Sequence, residues 1–391
     1  MPDRILTTHA GSLPRPDDLI ALHTSNAPEA AVAARTTSAI AEVVKAQREA
    51  GIDVVDDGEF GKRTRGAVDY GPWQSYAFSR LGGCEPADTA KGGPASAAAA
   101  RLADNSRRRD WTRFRDFYDE YFQTATFSTR GSQPVFTGPI TYTGQAAIAQ
   151  DIANLKAALN GSGATDAFMC SVAPGSFARG RNYHYDSDEA FLFALAEAMR
   201  EEYRAITDAG LIVQVDDPGL PDSWDLMDPA PTVEEYRRYA SICIEALNHA
   251  LRGLPEDRVR YHICWGSWHG PHTTDIPLAD VVDLVLKVSA GAYSIEAGNA
   301  AHEHEWRVWQ DTKLPAGKML IPGVVSHATN VVEHPELVAD RIERFAGIAG
   351  RDNIVAGTDC GLGGRIHPQI AWAKLEALAE GAALATRRLW G

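Results

Sequence analysis

Eight short apolar segments recur along this chain, separated by helical stretches or connecting loops, and that alternation limits the fold more than any other feature. They lie at 5–12, 52–59, 167–173, 211–217, 259–264, 292–296, 319–325 and 353–359. Helices are expected at 28–50, 189–209, 233–251 and 368–389, where apolar positions follow the 3.6-residue period. Segments apolar enough to be buried on both faces belong to a parallel sheet, whose strands need crossover connections. Eight such strands in one unit of 391 residues predict an α/β fold, a (β/α)8 TIM barrel, with its site at the C-terminal strand ends. One catalytic barrel domain is expected over 1–391.

A ninth apolar segment at 134–142, PVFTGPITY, carries two prolines and a central glycine, which suit a central strand poorly. It is assigned to an insertion between strands two and three, 70–161, lying near the barrel mouth. Within that insertion, 84–104 is Pro/Gly-punctuated, and Arg107, Arg108 and Arg109 then lead into DWTRFRDFYDEYF. The arginines are read as the solvated face of an amphipathic helix rather than a nucleic-acid patch.

The chemistry is carried by strand ends. In RVRYHICWG, His262 and Cys264 stand two residues apart and so share one face of a strand. An imidazole and a thiolate aimed at one point make half of a tetrahedral zinc site. Cys360, in NIVAGTDCGLGGR, and Glu296, in AYSIEAGN, end two further apolar runs and are candidates for the other half. Soft sulfur ligands beside imidazole favour Zn2+ over magnesium or calcium. The competing reading of a lone cysteine is inert core.

Other clusters weigh less. The run His302, Glu303, His304, Glu305 lacks the spacing of a helical zinc motif and is read as a solvated helix start. His269 and His272 are placed in a surface loop, and Trp265 and Trp268 in either the pocket wall or the core. A net charge of −14 argues against nucleic acid or an anionic membrane as partner. No apolar run approaches the roughly 20 residues of a membrane span. Five scattered cysteines, with no secretory leader pattern at the N-terminus, fit a cytoplasmic protein.

Six separated motifs together resemble one family, the cobalamin-independent methionine synthases, in their catalytic C-terminal barrel. YHICWG, YSIEAGN and AGTDCGLGGR are similar to that family's zinc motifs, which implies His262, Cys264, Glu296 and Cys360 as ligands. TTHAGSLPR, VVDDGEF and LIVQVDDP resemble its substrate segments, which implies Ser12, Glu59 and Asp216 as contacts to an amino-acid thiol, the two carboxylates holding its ammonium. PGVVSHATN partly resembles another motif, with spacing off by one, and implies His327 as the catalytic general acid. The folate-stacking aromatic of the family has Phe177 as its nearest equivalent, and its DEP triplet reads Asp216-Asp217-Pro218.

The resemblance implies zinc-dependent transfer of a methyl or alkyl group to a small-molecule thiol, with a homocysteine-type acceptor and a methyl-folate-type donor. VEHPELVADRI and the HEHEW run also resemble the branch containing the epoxyalkane:coenzyme M transferases, where a thiol adds to an epoxide. Two carboxylates near a sulfonate head group would repel it, which favours the amino-acid thiol. A non-catalytic, zinc-stabilised barrel and a zinc hydrolase are the remaining alternatives. A hydrolase needs a stronger Lewis acid than a dithiolate site supplies.

Overall fold

Parallel strands β1 (Leu6–Thr7), β2 (Val54–Val55), β3 (Asp166–Val172), β4 (Ile212–Asp216), β5 (Val259–Ile263), β6 (Ala292–Ile295), β7 (Met319–Val325) and β8 (Val355–Thr358) form the centre of the computed structural model. The structure describes residues 3–64, 72–86, 107–124, 134–179 and 181–391. The strands pair in the order β1-β8-β7-β6-β5-β4-β3-β2. Asp53 closes the seam between the two end strands: its N–H donates to the Thr7 carbonyl at 3.1 Å, and its carboxylate accepts from the Thr7 N–H at 3.1 Å. The result is a nearly closed (β/α)8 barrel with helices around it.

All eight expected strands are present, and β7 keeps its expected bounds. The first two are only two residues long. The chain leaves β2 early because Asp56 and Asp57 turn it: their carboxylates accept from the N–H groups of Gly58 (2.7 Å) and Glu59 (2.9 Å). Side-chain acceptors two residues back offer the backbone an alternative to the sheet ladder.

Alternation along the strands divides the core in two. Val213, Val215, Tyr261 and Ile263 face outward and pack with the helices in one large apolar cluster. Val54, Phe168 and Cys170 face the lumen. Above Phe168 lies Arg260, its guanidinium 3.7 Å from the ring centroid. It donates to Gln214 Oε1 (2.6 Å), Thr8 Oγ1 (2.9 Å) and the His9 carbonyl (2.5 Å). A buried cation needs this many acceptors.

Between β2 and β3, strands Leu81–Pro86 and Pro134–Tyr142 pair antiparallel, and Arg181–Asn182, from the segment after β3, adds a parallel edge. The ninth apolar segment is therefore a strand of this small separate sheet and not of the barrel. Beyond Pro86, the Pro/Gly-punctuated stretch falls outside the described residues. Helices Arg109–Arg113 and Arg115–Thr124 lie against the loops that follow β4 and β5. Here the reading of the arginine run needs correction: only Arg107 is solvated. Arg108 is buried, pairs with both oxygens of Asp222 and covers the Trp268 ring at 4.7 Å, while Arg109 reaches Asp225 and the Trp224 carbonyl. The acidic partners come from far along the chain, so local periodicity does not reveal them.

Glu202, in the helix Asp188–Asp208, ties the small sheet to the barrel. Its carboxylate accepts from Tyr76, Tyr142 (2.5 Å), Ser171 (2.7 Å) and Arg80 (3.2 Å). Removing one member of such a buried network leaves the Arg80 charge less compensated. Glu202→Ala should cost about 3–5 kcal/mol of stability in urea unfolding; an unchanged unfolding curve would show that the network carries no load.

Candidate functional site

Three barrel strands meet in register at one point. Asp216 on β4 pairs with His262 on β5, and His262 pairs with Ser294 on β6. Partners in a parallel ladder point to the same face, so these three side chains line the lumen rim together. Ser294 Oγ lies 3.1 Å from His262 Nδ1. With Nδ1 engaged, the lone pair of the other nitrogen is left to point elsewhere. That nitrogen, Nε2, is buried and has no hydrogen-bond partner.

Cys264 continues one residue past β5, and Cys360 lies two residues past β8. A ring nitrogen of His262 and the two sulfurs all fall within 4.8 Å of one another. The sulfurs form a coupled pair: a hydrogen bond between them raises the Cys264 thiol well above its ordinary value and lowers Cys360 well below, with His262 adding to the second effect. An imidazole with an orphaned buried nitrogen beside two sulfurs is a donor set that fits a metal ion.

Glu296, one residue past β6, belongs to a second group in which it, His327 and Asp359 each bring one atom within 4.8 Å of the others. Its oxygens accept from the Trp265 N–H (2.9 Å) and from Asn299 Nδ2 (2.7 Å). Burial raises its carboxyl well above the usual range. Asp359 receives the N–H groups of Ala297 (2.7 Å) and Gly298 (2.8 Å), fixing the loop after β6 against the Cys360 loop. His327 is buried with Nδ1 unpartnered, and burial pulls its imidazolium down to about 3, leaving the ring neutral at physiological pH.

On the other side of Asp216, Glu59, Cys170 and Asp216 converge within 4.8 Å. Glu59 adopts a left-handed backbone, φ 61°, rare for a residue with a side chain and a mark of a constrained site. Gly11 lies directly over this cluster: a Cβ there would come 2.7 Å from Glu59 Oε1 and 2.8 Å from Cys170 Sγ. Burial raises Asp216 to about 7 and keeps Cys170 a thiol. Ser12, adjacent to Gly11, is stitched to the Cys360 loop by its carbonyl, which accepts from Leu362 (2.9 Å) and Gly363 (2.8 Å). The loop carrying Ser12 thus spans the sulfur pair and the carboxylates.

Other expectations change. His302 and Glu305 are buried, not solvated. His302 stacks on Trp265 at 4.0 Å and lies within hydrogen-bond reach of Asp275 (3.1 Å) and Glu305 (2.9 Å). Burial opposes its charge, but the two carboxylates prevail and raise it to about 10. His272 and His269 are likewise packed, the first stacked on Trp268 at 4.4 Å, the second 3.0 Å from the His327 carbonyl. Phe177 is buried against Phe78 and unavailable to stack on a ligand. Asp217 turns away to Tyr261 (2.8 Å) and Ser176 (2.7 Å).

Sequence reasoning also missed Ser294, Asp359 and Lys62. Ser294 precedes Glu296 by two, the same strand-face signal that paired His262 with Cys264. Lys62 lies three residues after Glu59, its Nζ 3.5 Å from Glu59 Oε2.

Residues 174–383, more than half of the chain, match the family described as the catalytic domain of the cobalamin-independent synthases. The chain is 25% identical over 228 residues to a 2-hydroxypropyl-CoM lyase of Xanthobacter autotrophicus, covering 51% of this chain and 55% of that protein. It is 27% identical over 222 residues to a methionine synthase of Thermococcus kodakarensis, covering 56% of each. The matches thus span about half the length of these curated relatives. A B12-independent methionine synthase from Shewanella sp. W3-18-1, solved in complex with selenomethionine, has the same fold, with a TM-score of 0.70, 20% identity and 99% of both chains covered.

The charge on His302 has a measurable consequence. Because its folded value is raised above the unfolded one of about 6.5, its stabilising contribution is complete below that pH and is lost as pH rises through about 10. Asp275→Asn should move the His302 NMR titration downward, whereas a titration near 6.5 in the unaltered protein would contradict the network.

Proposed function

Because the chain belongs to the family of the cobalamin-independent synthase catalytic domain, we propose that it transfers a methyl or other alkyl group to the sulfur of a small-molecule thiol, with zinc held by His262, Cys264 and Cys360. The observation that carries this reading is the buried, unpartnered Nε2 of His262 beside the two sulfurs. When bound, zinc would hold the substrate sulfur as a thiolate, the nucleophilic form that a free thiol with pKa about 8.5 scarcely populates. Glu296 either completes the ligand set or yields its place to the incoming sulfur. Its oxygens are already held by Trp265 and Asn299, so little reorganisation accompanies either state. That arrangement favours an open catalytic site over a closed structural one.

The remaining residues bind and orient. Glu59 and Asp216 hold the ammonium of a homocysteine-type acceptor, and Ser12 contacts the same molecule from the loop that spans both halves of the site. His327, as a neutral ring, donates a hydrogen bond to the departing atom of a methyl-folate-type donor and passes on to it the proton released by the incoming thiol, so that the ring ends neutral as it began. All five cysteines are free, in keeping with the cytoplasmic setting proposed. The likeness to the 2-hydroxypropyl-CoM lyase favours, as a second reading, a thiol of coenzyme M type with an epoxide as its electrophile.

Cys264→Ser and Cys360→Ser should each abolish stoichiometric zinc and thiol alkylation together; either variant retaining one tightly bound zinc per chain would remove that residue from the ligand set. Ser294→Ala should weaken zinc about 10–100-fold, read by competition with a chelator, since it frees the ring that Ser294 orients. Glu59→Gln should weaken an amino-acid thiol far more than a simple sulfonate thiol, and equal effects would rule out its role as the ammonium binder.

A further inference from the structure

We infer that Lys62 binds the carboxylate of the acceptor thiol, so that the head-group site is built for a zwitterion; the inference rests on the thiol-transfer reading above. Lys62 follows the turn after β2, its N–H donating to the Glu59 carbonyl at 3.0 Å. The residue is 7% exposed, and its Nζ has no hydrogen-bond partner. Glu59 Oε2, at 3.5 Å, gives it an opposite charge without a hydrogen bond, and the Tyr76 ring lies 4.5 Å below it.

A buried ammonium carries three donors, and leaving them unmet is costly. This protein meets that demand elsewhere. Lys374, fully buried, donates to the Val331 carbonyl (2.6 Å) and to Glu333 (2.8 Å), and Arg260 has three acceptors. Lys62 is built differently: it lines a narrow cleft with Asp57, Tyr76, Cys170, Arg80 and Asp151, the last two paired with each other, while its own donors are uncommitted. An anionic group of a ligand supplies the missing acceptors, and a charge-assisted bond of this kind is among the strong ones.

The neighbours decide what kind of anion. Glu59 and Asp216 converge beside Lys62, and Asp216 is in register with His262, one strand from the sulfur pair. A thiol bearing only an ammonium would meet the Lys62 charge, and a thiol bearing only a sulfonate would meet two carboxylates. A head group carrying both signs opposes neither, with its ammonium on Glu59 and Asp216 and its carboxylate on Lys62. The same ammonium disfavours a second metal ion among Glu59, Cys170 and Asp216.

The test is a thiol titration of the cobalt-substituted protein, followed by the sulfur-to-cobalt charge-transfer band, which needs no knowledge of the alkyl donor. In Lys62→Met, the Kd for homocysteine should rise at least tenfold relative to that for 2-mercaptoethanol, and Lys62→Arg should recover most of the difference. Parallel changes for the two thiols, or none, would overturn the assignment, as would tighter binding of mercaptoethanesulfonate than of homocysteine by the unaltered protein. If both thiols perturb the band but Lys62→Met does not separate them, the Lys62 assignment alone fails; if neither thiol perturbs it, the thiol-transfer reading fails beneath it.

Discussion

The register of β4, β5 and β6 is the constraint on which the site depends. Because Asp216, His262 and Ser294 are ladder partners, the sheet itself delivers a carboxylate, an imidazole and the hydroxyl that orients the imidazole to one line across the barrel rim. A slip of one residue in either pairing would turn one of them outward into the helix layer. The sulfurs then come from two separate strand ends, Cys264 just beyond β5 and Cys360 just beyond β8. No local motif could bring that set together; closure of the barrel does.

The structure manages buried charge by saturation. In the lumen beneath the site Arg260 is met by three acceptors, and outside the barrel Glu202 is met by four donors. Against that background, three of the buried groups that lack partners stand near the rim, His262 Nε2, His327 Nδ1 and Lys62 Nζ, while others, such as Trp309 Nε1 and Arg48 Nε, lie elsewhere. Burying a polar group without a partner is costly, so unmet groups gathered at the strand ends of a barrel mark where ligands supply the missing bonds.

Much of this was legible in the sequence. The eight strands followed from apolar runs separated by helical stretches, and the pairing of His262 with Cys264 from strand alternation alone. What local reasoning could not supply was long-range partnership. Arg108 reads as part of a solvated run until Asp222 is seen beside it. His302 reads as a surface residue of a charged helix start until Trp265 and Asp275 enclose it. Lys62 carries no local signal of its burial, which comes from Tyr76 and Cys170 brought to it by the fold.

The most direct measurement is zinc-edge X-ray absorption on the purified protein with and without homocysteine, because it counts sulfur atoms around the metal. The account predicts two sulfurs from Cys264 and Cys360 alone, and three once the thiol is present. A shell that keeps the same sulfur count at saturating thiol would contradict it, leaving the barrel with a metal centre that does not engage the acceptor.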